Sequence, residues 1–242
     1  HVKYKEARDN VVLVLTYSCN FACPYCYESA SKETSMKILT EDMVDKVFSL
    51  YDNTINHIFF YGGEPFLPQT KSIVEYIVSK APNALYGATT NGYYIPEFFD
   101  ILSSIKISNI MITIDGPKQL HNKTRILKES GGGTYDKVYR GIELLLTQGI
   151  RVKIRMNITD NNVDECLSLR KEFIGAFPNQ FENGILLFEM QPVFQLSKKS
   201  KLELNEKILY SKETNVSYKY NVIASTVTPL LGMFVGEQEF TP

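Results

Sequence analysis

The chain alternates short apolar runs with longer amphipathic segments along most of its length. Continuous apolar runs rich in β-branched residues are typical of buried parallel strands, whereas apolar positions spaced three and four residues apart indicate helices. Six strands are predicted, at residues 11–15, 57–60, 84–90, 108–114, 151–158 and 185–190. Helices are predicted at residues 40–51, 70–80, 96–103, 135–148 and 163–173, and a further one near 204–211.

Strands that alternate with helices predict an α/β fold whose strands pair in parallel through right-handed crossovers. Six such units fit either an open doubly wound sheet or a partial barrel. In both architectures the functional residues follow the carboxyl ends of the strands. Four segments occupy such positions: residues 19–26, Gly62-Gly63-Glu64-Pro65, Asn91-Gly92 and Asp115-Gly116-Pro117. We therefore expect them to converge at one edge of the sheet.

Composition limits the choice of partners without naming one. Hydrophobic residues make up 44% of the chain and charged residues 22%, and the net charge is −1. This balance gives no overall field that would attract nucleic acid or an anionic membrane. No apolar stretch approaches the roughly 20 residues needed to cross a bilayer, and the run at residues 11–15 is too short for a signal sequence. We expect neither nucleic acid nor a membrane as partner.

Cysteine usage is more informative, because three of the four cysteines lie between Cys19 and Cys26. This crowding does not suit a disulfide framework. It favours intracellular metal or redox chemistry instead, and therefore a cytoplasmic location. Thiolates are soft donors that bind iron–sulfur clusters well. Three cysteines in one loop can hold three corners of a cubane and leave the fourth iron open to a substrate.

Two other interpretations of the cysteines were weighed. A structural zinc site usually has four protein ligands, often two separate cysteine pairs, and the sequence has no second pair beyond residues 19–26. His57 and His121 lie in other contexts, and Cys166 stands alone in a predicted helix, where a small buried side chain is expected. A thioredoxin-like pair of Cys23 and Cys26 would leave Cys19 without a role. An iron–sulfur cluster is favoured over both.

The pattern Cys19-x3-Cys23-x-Tyr25-Cys26 after a first strand resembles the signature of the radical S-adenosylmethionine (SAM) superfamily. The resemblance implies a partial (β/α)6 TIM-like barrel of the radical SAM type. It also implies a [4Fe-4S] cluster on the three cysteines, with SAM chelated to the open iron. Reductive cleavage of SAM would give a 5′-deoxyadenosyl radical that abstracts hydrogen from a substrate. A flavodoxin or ferredoxin is the expected electron donor.

Further residues match motifs of the same family. Gly62-Gly63-Glu64 looks like its Gly-Gly-Glu motif, where a carbonyl or carboxylate accepts hydrogen bonds from the SAM ammonium. Tyr25 resembles the aromatic residue that flanks the adenine, and Asn91 in Thr90-Asn91-Gly92 lies where the family contacts the cofactor. By the same resemblance, Thr113 binds the ribose and Arg125 pairs with the SAM carboxylate.

The segment from Thr113 to Pro117, followed by His121 and Arg125, is similar to the peptide- and protein-modifying branch of the family. This branch often carries a SPASM or twitch module. His121 is expected to stabilise a turn. The first hypothesis is a maturase that forms a thioether or carbon–carbon crosslink in a ribosomally made peptide. The second is a maturase like those that form formylglycine in sulfatases, and the third, of another class, is a non-enzymatic zinc- or cluster-binding module.

The resemblance assigns residues 1–195 to a radical SAM core and residues 196–242 to a C-terminal extension. Relatives of this branch carry further cysteines that bind auxiliary [4Fe-4S] clusters, and none follows Cys166. Either the enzyme lacks the auxiliary-cluster module or this module lies outside the chain, and the second is favoured. An N-terminal domain that grips a leader peptide, as peptide-modifying members often use, is an equally open alternative. Strands five and six offer four polar residues to the barrel mouth, although the pattern does not fix which face each takes. These residues are Arg155, Asn157, Glu189 and Gln191.

Overall fold

The structure, a computed structural model, describes residues 10–26, 37–51, 55–159, 161–192, 219–224 and 237–239. Side chains are described as far as residue 191, and the last segments by their backbone. The strands are β1 (Asn10–Thr16), β2 (His57–Gly62), β3 (Leu85–Thr90), β4 (Lys106–Thr113), β5 (Val152–Ile158), β6 (Leu186–Pro192), β7 (Lys219–Ala224) and β8 (Glu237–Glu239). The helices are α1 (Glu41–Leu50), α2 (Lys71–Lys80), α3 (Ile95–Ser104), α4 (Lys118–Thr124), α5 (Tyr135–Thr147), α6 (Val163–Ala176) and α7 (Pro178–Glu182).

The described strands form one sheet in the order β6-β5-β4-β3-β2-β1-β7-β8. Strands β1 to β6 lie side by side in chain order and pair in parallel. The sheet is open, and this arrangement confirms the predicted α/β fold with a partial barrel. Because the strands are parallel, the segments that follow β1, β2, β3 and β4 emerge at the same edge of the sheet.

The core lies between the sheet and the helices. In β5 every second residue from Val152 to Ile158 is fully buried against the helices, whereas Lys153, Arg155 and Asn157 are partly exposed. The sheet therefore has an outer face beneath the helices and an inner face on the other side. Each apolar side chain buried on the outer face stabilises the fold by roughly 1.5–3 kcal/mol.

The helix pattern was largely confirmed, with two additions. Helix α1 begins after Thr40, whose side chain accepts a hydrogen bond from the backbone N–H of Met43. The short helices α4 and α7 were not predicted, because neither has a clear apolar period. The helix predicted near residues 204–211 lies outside the described residues.

Part of the segment assigned to a C-terminal extension has a defined backbone. Strand β7 pairs in parallel with β1 on the side opposite β2, and β8 pairs antiparallel with β7. Both strands thus continue the sheet of the core. Within the described residues, no helix has the length and apolar character needed to span a bilayer.

Candidate active site

The cysteine loop follows β1 directly. Cys19, Cys23 and Cys26 are partly buried free thiols, and the first two pack against the core. The Cys19 sulfur accepts a hydrogen bond from the backbone N–H of Phe21 at 3.4 Å. Burial, followed by the nearby Glu64 carboxylate, raises the pKa of Cys19 to about 12, and burial also raises the pKa of Cys23. Without a cation the environment keeps these thiols protonated, so cluster binding must release their protons.

The Gly62-Gly63 pair packs against the start of the same loop. The N–H of Gly63 donates to the carbonyl of Thr16 at 2.9 Å, and that of Glu64 donates to the carbonyl of Ser18 at 2.9 Å. A Cβ on Gly63 would lie 2.4 Å from the Tyr17 oxygen and 2.5 Å from the Ser18 oxygen. A side chain cannot fit there, because the obstacle is backbone. The glycines therefore hold the segment that leads to Cys19.

The carboxylate of Glu64 is fully buried and accepts three hydrogen bonds from its own chain. Oε1 accepts from the N–H of Phe66 at 3.0 Å and from the Thr90 hydroxyl at 2.6 Å. Oε2 accepts from the N–H of Asn91 at 2.6 Å. Burial raises the pKa of Glu64, although these donors oppose the shift. The carboxylate joins the end of β2 to the end of β3. In the Gly62-Gly63-Glu64 motif, the backbone carbonyls are therefore more available than this carboxylate to accept hydrogen bonds from a ligand.

Asn91 lies between Glu64 and the cysteine loop. Its side-chain amide donates to Asn20 Oδ1 at 2.7 Å and to the Cys19 sulfur at 3.8 Å. Its Oδ1 accepts from the backbone N–H of Tyr93 at 2.9 Å. Three predicted site residues, Asn91, Glu64 and Cys19, are thus joined in one network.

Arg125, Tyr25 and Asp115 form a second buried group. Arg125 Nη1 donates to the Tyr25 hydroxyl at 2.8 Å, and this hydroxyl donates to Asp115 Oδ2. Arg125 Nη1 also lies 4.0 Å from Asp115 Oδ2. Burial opposes the charge on Arg125, but Tyr25 and Asp115 outweigh it, and the pKa of Arg125 rises above its ordinary value. The guanidinium therefore stays cationic beside the cysteine loop.

The position of Arg125 is set by the missed helix α4. Arg125 follows this helix directly, and its carbonyl accepts from the Thr134 hydroxyl at 2.6 Å. Thr134 in turn contacts His121 Nε2 at 3.0 Å, and His121 is fully buried. His121 therefore has a structural role, consistent with the expected turn stabilisation. Arg125 also lies over the Phe21 ring, 5.4 Å from its centroid.

Thr113 is the last residue of β4 and is buried beside the sheet edge. Asp115, two residues later, accepts from the N–H of Asn157 on β5 at 3.1 Å. The sequence places Asp115 just after the fourth strand and indicates no partner for it. Its contacts with Tyr25 and Asn157 join residues far apart along the chain, which no local pattern reveals.

The register settles the face of the four polar residues on β5 and β6. Arg155 pairs with Glu189, and Asn157 with Gln191. All four are partly exposed, whereas the intervening residues of β5 are buried against the helices. They therefore lie on the inner face. Cys166 is fully buried in the core, as expected for a small apolar side chain.

The three free thiols of the cysteine loop are soft donors of the kind that an iron–sulfur cluster binds. Among the residues that the structure describes, no three His, Cys, Asp or Glu side chains gather around one metal position. A cubane instead spreads its ligands over separate iron atoms. Arg125 Nε is buried and has no hydrogen-bond partner, which leaves a donor for a ligand beside the loop.

Comparison with known proteins agrees with this geometry. The family model described as the radical SAM superfamily matches residues 13–172. The chain therefore belongs to the radical SAM superfamily. Members of this family use a [4Fe-4S] cluster and SAM, and the protein is accordingly a radical SAM enzyme.

Its relatives are named for different activities. A probable GTP 3′,8-cyclase of Methanococcus vannielii is 24% identical over 217 residues, which cover 83% of this chain and 70% of that protein. The antilisterial bacteriocin subtilosin biosynthesis protein AlbA of Bacillus subtilis is 28% identical over 155 residues, which cover 62% of this chain and 33% of that protein. Family membership alone therefore leaves the substrate open.

Solved structures share the fold. The enzyme anSMEcpe, with bound AdoMet and the Cp18Cys peptide, aligns with a TM-score of 0.61 at 21% identity, covering 76% of this chain and 50% of that one. SuiB of Streptococcus suis, bound to its precursor peptide SuiA, aligns with a TM-score of 0.60 at 13% identity, covering 84% of this chain and 47% of that one. The chain thus spans about half the length of these neighbours.

Proposed function

We propose that this radical SAM enzyme modifies a peptide and forms a thioether or carbon–carbon crosslink in a ribosomally made precursor. The observation that carries its radical SAM chemistry is the convergence of three segments at one sheet edge. The cysteine loop, the Gly62-Gly63 turn and Arg125 are joined there by direct contacts. The segment from Thr113 to Pro117 resembles the peptide-modifying branch.

Within this proposal Cys19, Cys23 and Cys26 hold the cluster. When bound, the cluster supplies the electron that splits SAM into methionine and a 5′-deoxyadenosyl radical, which takes a hydrogen atom from the substrate. Arg125 binds the SAM carboxylate, because a guanidinium meets a carboxylate through two parallel hydrogen bonds.

Other residues orient SAM and support its binding site. The backbone carbonyls of Gly62 and Gly63 accept from its ammonium group, because the Glu64 carboxylate is already engaged. Thr113 binds the ribose, and Tyr25 lies beside the adenine. Asn91 holds the cysteine loop through its contacts with Asn20 and Cys19. A flavodoxin or ferredoxin donates the electron.

Support for a peptide substrate comes from the neighbours. Both anSMEcpe and SuiB share this fold and were solved with a bound peptide. AlbA, named for the biosynthesis of a bacteriocin, matches in sequence. Formylglycine formation on a protein side chain is the alternative within this substrate class. GTP is the competing small-molecule substrate, because the GTP 3′,8-cyclase match covers 83% of this chain.

Co-expression tests the choice between peptide and nucleotide. The enzyme is produced anaerobically with each short reading frame that flanks its gene, and the peptides are analysed by mass spectrometry. A crosslink removes two hydrogens from a peptide: one would be taken as a hydrogen atom by the 5′-deoxyadenosyl radical, and the other would leave as a proton whose electron passes to an iron–sulfur cluster. This loss should be absent with the Cys23→Ala variant. In parallel, purified enzyme is incubated with SAM, dithionite and GTP. Unchanged peptides together with GTP-dependent formation of 5′-deoxyadenosine would contradict the proposal.

A further inference from the structure

The inner face carries a charged group that the proposed function does not use. Lys153 Nζ lies 3.6 Å from Glu189 Oε2, and Arg155 Nε lies 3.5 Å from Glu189 Oε1. We call Lys153, Arg155 and Glu189 the inner-face cluster. Its composition is unbalanced, because two cations share one carboxylate. Strands β5 and β6 contain no other Lys or Arg.

The sheet register places this cluster next to the candidate active site. Arg155 pairs with Thr113 on β4 and with Glu189 on β6. Asn157, two residues further along β5, donates its N–H to Asp115. Two residues of a strand span about 7 Å, so a group bound at Arg155 would lie within reach of the SAM site.

The ion pairs of the cluster are loose and leave donors free. Both nitrogen–oxygen distances exceed those of ordinary hydrogen bonds. Arg155 Nε is buried and, although it lies 3.5 Å from Glu189 Oε1, it makes no hydrogen bond. The side chains of Lys153 and Glu189 are 17% and 14% exposed and that of Arg155 is 31% exposed, so water compensates the surplus positive charge only in part. Such a charge favours binding of an additional anion.

We propose that the inner-face cluster binds the carboxylate of an Asp or Glu side chain in the peptide substrate. Arg155 is the main donor because its planar fork matches a carboxylate, and Glu189 holds Arg155 and Lys153 in place. One surplus charge suits a single carboxylate, whereas a triphosphate carries several negative charges. This inference rests on the proposed function and adds the substrate residue that the site selects.

The test uses two capped tripeptides, acetyl-Gly-Glu-Gly-amide and acetyl-Gly-Gln-Gly-amide, with GTP as a third probe. Binding to the anaerobically reconstituted enzyme with SAM is measured by equilibrium dialysis. Since a hydrogen bond between two charged groups is stronger than one to a neutral amide, the Glu peptide should bind about tenfold more tightly than the Gln peptide. Arg155→Gln should remove this difference. The matched control Arg151→Gln, at an exposed position just before β5, should retain it.

Equal binding of the two peptides to the wild type would overturn the inference, as would a preference that survives Arg155→Gln. Tighter binding of GTP than of the Glu peptide, lost in Arg155→Gln, would assign the cluster to a nucleotide and also overturn it. Formation of 5′-deoxyadenosine is measured on the same preparation. A preparation that cleaves SAM without selecting the Glu peptide rejects this inference alone, whereas one that selects the peptide without cleaving SAM rejects the radical chemistry.

Discussion

Arg125 donates a hydrogen bond to the hydroxyl of Tyr25 at 2.8 Å, although 100 residues separate them along the chain. The same hydroxyl donates to Asp115, so a tyrosine stands between a buried cation and a buried anion. Because Tyr25 lies between Cys23 and Cys26, this contact fixes the cysteine loop against the end of β4. The contact therefore links the segment proposed to hold iron to the residue proposed to hold SAM.

Asp115→Asn should weaken both the fold and SAM binding. The substitution leaves Arg125 buried without its anionic partner, and breaking a buried ion pair costs about 3–5 kcal/mol. We expect a lower free energy of unfolding by denaturant, and weaker SAM binding because Tyr25 and Arg125 lose their anchor. Asp136→Asn, which removes an exposed pair with Lys118, should change stability by less than about 1 kcal/mol. Similar losses in the two variants would contradict the role given to Asp115.

Gly63→Ala should prevent cluster assembly. The added Cβ would meet the carbonyl oxygens of Tyr17 and Ser18, so the chain leading to Cys19 must move. Iron content and visible absorbance after reconstitution should both fall. Gly175→Ala is the control, because a Cβ there meets nothing within 4 Å and alanine favours a helix by about 1 kcal/mol. Normal iron content in Gly63→Ala would show that the close approach is not required.

Glu64→Gln should destabilise the end of β3. Three donors point at the carboxylate, and a glutamine places an NH2 group against at least one of them. An unmatched buried donor costs about 1–3 kcal/mol. Unfolding midpoints and iron content should both decrease, whereas Glu75→Gln on the exposed surface of α2 should leave them unchanged. An unaffected midpoint in Glu64→Gln would refute the hydrogen-bond assignment.

His121 should make the fold sensitive to acid. Burial, with a smaller contribution from Arg125, lowers the pKa of His121 to about 3, against 6.5 for the free side chain. Below pH 6.5 the His121 side chain binds a proton in the unfolded chain but not in the folded one. The free energy of unfolding therefore falls as the pH drops towards 3. At pH 5 the loss amounts to about 2 kcal/mol.

Denaturant unfolding at pH 7 and pH 5 checks this. The difference in free energy of unfolding between pH 7 and pH 5 should be about 2 kcal/mol smaller in His121→Gln than in the wild type. Burial also lowers the pKa of His57, so part of the acid sensitivity should remain in both the wild type and the variant. An unchanged difference between the two pH values in the variant would exclude His121 as its source.

The sheet could be predicted from the sequence because its strands are short, apolar and separated by amphipathic helices. The strand ends then placed the four motifs at one edge without knowledge of any contact. Helix α4 escaped prediction because its seven residues carry no apolar stripe and depend on buried His121. The position of Arg125 depends on this helix, so only the structure could give its contacts.

The pairing of distant side chains was beyond the sequence. Nothing local indicates that Asp115 meets Tyr25, or that the Glu64 carboxylate is used by the ends of β2 and β3. The face taken by Arg155 and Glu189 also required the register, since a shift of one residue exchanges the two faces. The resemblance to family motifs identified the candidate site residues, but the contacts among them could be seen only in the structure.

The most direct measurement of the central claim is the reductive cleavage of SAM. Anaerobically reconstituted enzyme is incubated with SAM and dithionite, and 5′-deoxyadenosine is quantified. Wild type and Cys166→Ala should form it, whereas Cys19→Ala, Cys23→Ala and Cys26→Ala should lose both cluster and product. Absence of 5′-deoxyadenosine from wild type that carries its full complement of iron, or its formation by any of the three loop variants, would contradict the account.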